Sequence, residues 1–180
     1  NGLSTGRIHG VIAGLPQVRT VVSPHGAPVP AAGIHTNAYN DRITNSSGPS
    51  PYQVGGTRNL LTGWTLEGNL DSIGNTSGTS TNAIMDQTNN ATLTWNWSTQ
   101  YQFSATAVGG GSVQGSANGW YEPGASVVVS ALVADANYSF VGWTGDLPDG
   151  QTNDLCITQA MDQARAIVAH FQGTTQLLTI

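Results

Sequence analysis

A chain of 180 residues with 38% hydrophobic content has room for one ordinary domain or two small ones. Its five cations are all arginines (Arg7, Arg19, Arg42, Arg58, Arg165) against ten carboxylates, a net charge of −5, so it offers no cationic cluster for nucleic-acid phosphates or an anionic membrane surface. No apolar run reaches the roughly eighteen residues of a membrane-spanning helix, the absence of lysine rules out a lysine–asparagine isopeptide crosslink, and the single Cys156 rules out an intrachain disulfide.

In chain order, residues 1–17 form a head whose segment Arg7-Ile-His-Gly-Val-Ile-Ala13 reads as an extended apolar strand carrying Ile8, Val11 and Ile12. Residues 1–10 lack the basic and apolar regions of a signal peptide, so an exported protein is represented here by its mature form. Val18 to Val22 opens a first copy of a repeat, drawn at 18–99, in which Gly63-Trp64-Thr65 and Met85-Asp86-Gln87 precede an alternating closing run of Leu93, Trp95 and Trp97. Alternation with period two is the mark of a half-buried strand. A second copy, drawn at 100–172, repeats both anchors as Gly142-Trp143-Thr144 and Met161-Asp162-Gln163 and closes on Ile167, Ala169 and Phe171. The spacing pairs Trp64 with Trp143 and Trp95 with Phe171, and these four are expected in the cores.

The second copy reads clearly strand by strand. Tyr101, Phe103 and Ala105 alternate with polar residues, Gly109-Gly110-Gly111 makes a turn, and Ser112 to Gly115 is expected to return as a β-hairpin. Pro123-Gly124 marks a second turn before the β-branched run Ala125 to Val133, and Tyr138 to Thr144 carries Trp143. After the loop Gly145 to Asp154 come Leu155 to Thr158 and the closing strand Ala166 to Phe171, with Thr158 to Arg165 the one place for a helical turn. Six or so short strands per copy predict an all-β protein of two tandem small modules, with extended strand segments at both termini.

The run Tyr101-Gln-Phe, with Gly110-Gly-Ser-Val113, Tyr121-Glu-Pro-Gly124, Phe140-Val-Gly-Trp-Thr-Gly-Asp146, Ile157, Met161-Asp162 and Ala169-His-Phe171, resembles the divergent internalin B-type repeat, a bacterial surface module. Copy one resembles a long-loop variant: Leu66-Glu67-Gly68 replaces the glycine–aspartate step, the loops at Pro24 to Pro30 and Asn69 to Ser80 are longer, and the closing strand ends in Thr94-Trp95-Asn96-Trp97. The resemblance implies a β-grasp-like or sandwich-like fold in tandem on extracellular proteins, and it implies no catalytic residue.

Trp97, Trp120 and Tyr121 lie near strand ends and are the candidates for an exposed aromatic patch that would stack on glycans. Asp146, Asp149 and Asp154 gather oxygen ligands of the kind calcium takes, but their spacing fits no EF-hand and turns attract the same residues, so no metal or other cofactor is expected. The histidines His9, His25, His35 and His170 have no ligand or triad spacing, and His170 is expected to point away from Ala169 and Phe171. Cys156 has no cationic neighbour in sequence and is expected as a small buried apolar residue. Five Asn-x-Ser/Thr sequons, at Asn45, Asn75, Asn90, Asn96 and Asn137, mark accessible loops at most.

The tail 173–180 ends in Thr175-Gln-Leu-Leu-Thr-Ile180, which aligns with Thr99 to Ser104, the opening strand of copy two. Leu177, Leu178 and Ile180 there, with Ile8, Val11 and Ile12 of the head, are the expected assembly residues, joining copies of the chain by strand addition. The sequence thus points to a non-catalytic extracellular structural protein. It would be a subunit of a surface filament or part of a repeat stalk, with copies of itself or neighbouring repeats as partners and an adhesive, carbohydrate-binding module as the rival.

Overall fold

The structure is a computed structural model, and it describes residues 14–148 and 150–174. The described residues form fourteen strands and no helix, so Thr158 to Arg165 makes no helical turn; Met161 and Asp162 sit in a tight connection between strands. The strands are β1 (Gln17–Val22), β2 (Gly33–Asn37), β3 (Arg42–Ser46), β4 (Tyr52–Val54), β5 (Thr57–Glu67), β6 (Ser77–Gly78), β7 (Asn82–Asp86), β8 (Ala91–Val108), β9 (Gly111–Gly115), β10 (Gly119–Tyr121), β11 (Ser126–Val133), β12 (Tyr138–Gly145), β13 (Cys156–Ala160) and β14 (Arg165–Gly173).

Contacts divide the chain into two compact units. Among the described residues, the first comprises 14–50 with Leu61–Trp97, and the second comprises Pro51–Leu60 with 98–148 and 150–174. In the first, β1 lies between β2, antiparallel, and the start of β8, parallel, and β3 pairs with β7 in a small second sheet. In the second, the remainder of β8 lies between β10, antiparallel, and β14, parallel; β12 flanks β14, and β11 pairs with β13. Each unit therefore places its opening strand parallel to its closing strand. In β8, Ala91, Leu93 and Trp95 are buried in the first core and Phe103 and Ala105 in the second, while the alternate positions are polar. Burying a large side chain of this kind stabilises by about 1.5–3 kcal/mol.

The ladders fix the equivalence between the units residue by residue. Arg19 opposes His35 and Ala91, as Phe103 opposes Gly119 and Arg165, and Ile43 opposes Met85, as Val127 opposes Gln159. Loop hydrogen bonds agree: Asn40 N–H donates to the Gln87 carbonyl as Gly124 N–H does to Met161, and Ser47 N–H donates to Thr81 as Ala131 N–H does to Leu155.

This register corrects two expectations. Gln87, not Met85, occupies the place of Met161, and Trp97, not Trp95, that of Phe171; Trp95 stands where Ala169 does. The shared Met-Asp-Gln tripeptides are two residues out of step, a shift that leaves every side chain on the same face of a strand and so leaves the alternating pattern unchanged. Nor is the Pro24 to Pro30 loop an insertion, since the correspondence holds without a break from Arg19 to Ser47. The extra residues lie instead on either side of Trp64.

Three further differences concern the second unit and its boundary. Ser112 to Gly115 does not return on β8; β9 crosses to the other sheet and pairs antiparallel with β11, so the three glycines make an arch rather than a hairpin. Gly110 and Gly111 lie so close to the rings of Tyr138 and Phe171 that side chains there would collide with them. Residues 51–60, assigned by sequence to copy one, belong with the second unit. Cys156 is exposed, because Ile157 and Gln159 take the inward positions of β13. An aqueous thiol reagent is expected to modify Cys156 stoichiometrically in the native chain, within minutes and without denaturant; protection until unfolding would contradict this placement.

Candidate functional site

The four core aromatics are buried, with Trp64 4%, Trp95 1%, Trp143 3% and Phe171 7% exposed. Both Gly-Trp anchors share one backbone device. Gly63 has φ +142° and Gly142 φ +149°, and at each a β-carbon would crowd a facing carbonyl, that of Gly78 or Thr152. Only glycine takes this conformation without strain, and the ladder between β12 and β14 slips there by a bulge between Phe140 and Gly142. Trp143 Nε1–H donates to the Asp154 carbonyl at 2.8 Å, whereas Trp64 Nε1 is buried without an acceptor.

The three aromatic candidates are each engaged by the protein itself. In the first unit Trp97 is half-buried, donates its Nε1–H to Ser23 Oγ at 3.1 Å and meets the His25 ring edge-on at 6.1 Å. Tyr121, in the second, packs edge-on against Phe103 and donates its hydroxyl to the Ala117 carbonyl at 2.6 Å. Trp120 is half-buried, and the Arg58 guanidinium lies 4.7 Å from its ring centroid.

That last contact belongs to an arm that sequence reasoning missed. Tyr52–Val54 and Thr57–Asn59 form a tight hairpin through Gly55-Gly56, and the hairpin docks on the opening strand of the second unit. Gln102 N–H donates to the Gly56 carbonyl at 2.8 Å, Arg58 Nε–H to Gln100 Oε1 at 2.7 Å, and Thr99 Oγ–H to Asn59 Oδ1 at 2.8 Å. Glu122 accepts hydrogen bonds from Ser98 and Gln100 on the same strand. The signal was present: two glycines between short β-prone segments are a two-residue hairpin signature. Arg58→Ala is expected to weaken arm docking by about 0.5–1 kcal/mol, the worth of an exposed cation–π contact. Hydrogen exchange at the Gln102 amide checks it, since that amide should exchange several-fold faster while the amides of β11 and β13 do not change.

Of the acidic candidates, Asp146 Oδ2 accepts the Ala166 N–H at 3.1 Å, a loop-closing role, and Asp154 is exposed. Asp149 lies outside the described residues, and among those residues no three carboxylate, histidine or cysteine side chains come together as a metal site. His170 hydrogen-bonds Thr144 at 2.8 Å, away from the core face of β14. No helix of the described residues is long and apolar enough to cross a membrane. Ile8, Val11, Ile12, Leu177, Leu178 and Ile180 all lie outside the described residues.

Residues 101–175 match the family model described as Divergent InlB B-repeat domain, and one copy is matched. No curated protein and no solved structure matches the chain. The matched stretch contains the Trp143 anchor, the Gly142 bulge and every second-unit strand from β9 to β14. Repeats of this family are bacterial surface-associated modules and are generally non-catalytic. Residues 101–175 are thus similar to the divergent InlB B-repeat domain.

Proposed function

We propose that the chain is a non-catalytic, extracellular structural segment of a bacterial surface protein, in which modules are joined in series through strands they share. The observation that supports this best is β8, one strand from Ala91 to Val108 that closes the first unit and opens the second. A repeat joined in this way needs no linker, disulfide, lysine crosslink or metal to continue from one module to the next. The side chains that would stack on a sugar, Trp97, Trp120 and Tyr121, are instead committed to Ser23, Arg58 and Phe103, which favours the structural reading over the adhesive one.

Assembly by strand addition follows from the same logic, with Ile8, Val11 and Ile12 at one end and Leu177, Leu178 and Ile180 at the other as the joining residues. Electron microscopy and light scattering of the intact chain, beside versions lacking 1–17 or 174–180, test it. Filaments lost in either deletion support strand addition, and a monomer in all three preparations removes the filament and leaves the stalk. A glycan array tests the function class: specific binding abolished by Trp120→Ala would overturn the structural reading in favour of an adhesin.

A further inference from the structure

The register between the units exposes a difference in their interiors that the repeat pattern conceals. Where the second unit buries Phe103, Val129, Ala131 and Met161, the first buries Arg19, Asn45, Ser47 and Gln87. Arg19 is 2% exposed and the other three are fully buried. Asn45 and Gln87 each use the amide nitrogen, donating to the carbonyls of Ala83 and Asn89, and this turns their amide oxygens to positions where neither finds a donor. Arg19 Nε and Nη1 are also without an acceptor, and no carboxylate pairs with this guanidinium among the described residues. Desolvation pulls the Arg19 pKa below the ordinary arginine value, the electrostatic sign of a cation held in an apolar place. The traffic in the other direction is two residues: Gln159, buried with both amide atoms unpartnered, stands where the first unit has Met85, and Arg165, whose Nε is buried without an acceptor although its Nη2 pairs with Asp162, stands where it has Ala91.

From this exchange of apolar for polar side chains we infer a built-in order of opening: the first unit is the weak unit of the chain and opens while the second stays folded. Each buried polar group without a partner has lost its water and gained nothing in return, and a lone buried cation loses most. In the second unit the same positions contribute apolar burial to one contiguous cluster with Val127, Trp143 and Ile167. The consequence goes beyond a passive structural role, because heating or pulling a series of such units would extend it stepwise, with the first unit opening as the compliant element and the second as the persistent one.

Amide hydrogen exchange followed by mass spectrometry on the intact chain reads this directly. The β3 and β7 amides are expected to exchange at least about tenfold faster than those of β11 and β13, a ratio equivalent to about 1.4 kcal/mol of opening free energy. A two-stranded sheet exchanges faster than a three-stranded one for its own reasons, so the variants carry the decision. The triple substitution R19F, N45V and Q87M, which installs the residues of the second unit, is expected to slow β3 and β7 exchange at least about tenfold. Gln87→Met alone should slow it several-fold, and it keeps the test open if the triple variant does not fold. Met161→Gln should accelerate β13. Equal or reversed protection in the native chain overturns the inference. So does an asymmetry that neither Gln87→Met nor Met161→Gln changes, because it would then arise from strand number and not from these side chains.

Discussion

Alanine at Trp143 is expected to remove about 3–5 kcal/mol from the second unit, enough to unfold it at room temperature if its stability is that of an ordinary small domain. The indole is 3% exposed, packs against Phe140 with ring centroids 5.7 Å apart, opposes Ala169 across the ladder and satisfies the Asp154 carbonyl. Its removal leaves a cavity and an unpaired acceptor together. Phenylalanine separates the two losses, because it refills much of the volume and leaves only the carbonyl without its donor. At the equivalent position Trp64 has no acceptor for its N–H, so Trp64→Phe relieves a buried orphan group and should cost less than Trp143→Phe. Urea unfolding of the three variants, with the midpoint of each transition recorded, checks both the magnitude and the order.

The second large effect is Phe103→Arg. It places in the second unit the residue that the first unit carries at the same ladder position, opposite Arg165 and Gly119. Phe103 is 1% exposed and meets the Tyr121 ring edge-on. The substitution forfeits at least the roughly 3–5 kcal/mol of a buried phenylalanine, and the desolvated charge adds to that. Circular dichroism and intrinsic fluorescence should report loss of the second unit. A variant that keeps the wild-type midpoint would mean that position 103 does not face the core.

The parts of this architecture that were legible in the sequence are those where chemistry leaves few alternatives. A glycine at φ near +145° beside a large core aromatic is hard to replace, which is why Gly63-Trp64 and Gly142-Trp143 announced themselves in both copies. Alternation along 91–108 announced a strand, although not that one strand serves two units, because nothing in a period of two records where one core ends and the next begins. The Met-Asp-Gln anchor misled for the same reason: a shift of two residues is invisible to a pattern of period two. Arg19 is one of five cations in a chain without a cationic cluster, and charge alone does not reveal that its neighbours in β1 alternate so as to turn it inward with Val21. Gly55-Gly56 marks the arm, but the hairpin has no counterpart in the second copy, so the repeat pattern carries no sign of it. The arch at Gly109 to Gly111 could not be told from a hairpin, as both need the same glycines and differ only in which strand receives Ser112 to Gly115.

Two units of equivalent ladder register share the strand Ala91–Val108. Cross-strand nuclear Overhauser effects on an isotopically labelled chain test it most directly. Parallel contacts of Arg19 with Ala91 and of Phe103 with Arg165 are expected, together with antiparallel contacts of Ile43 with Met85 and of Val127 with Gln159. Contacts that placed Met85 and Met161 at equivalent ladder positions, or that interrupted the strand between Trp97 and Ser98 with a turn, would contradict it.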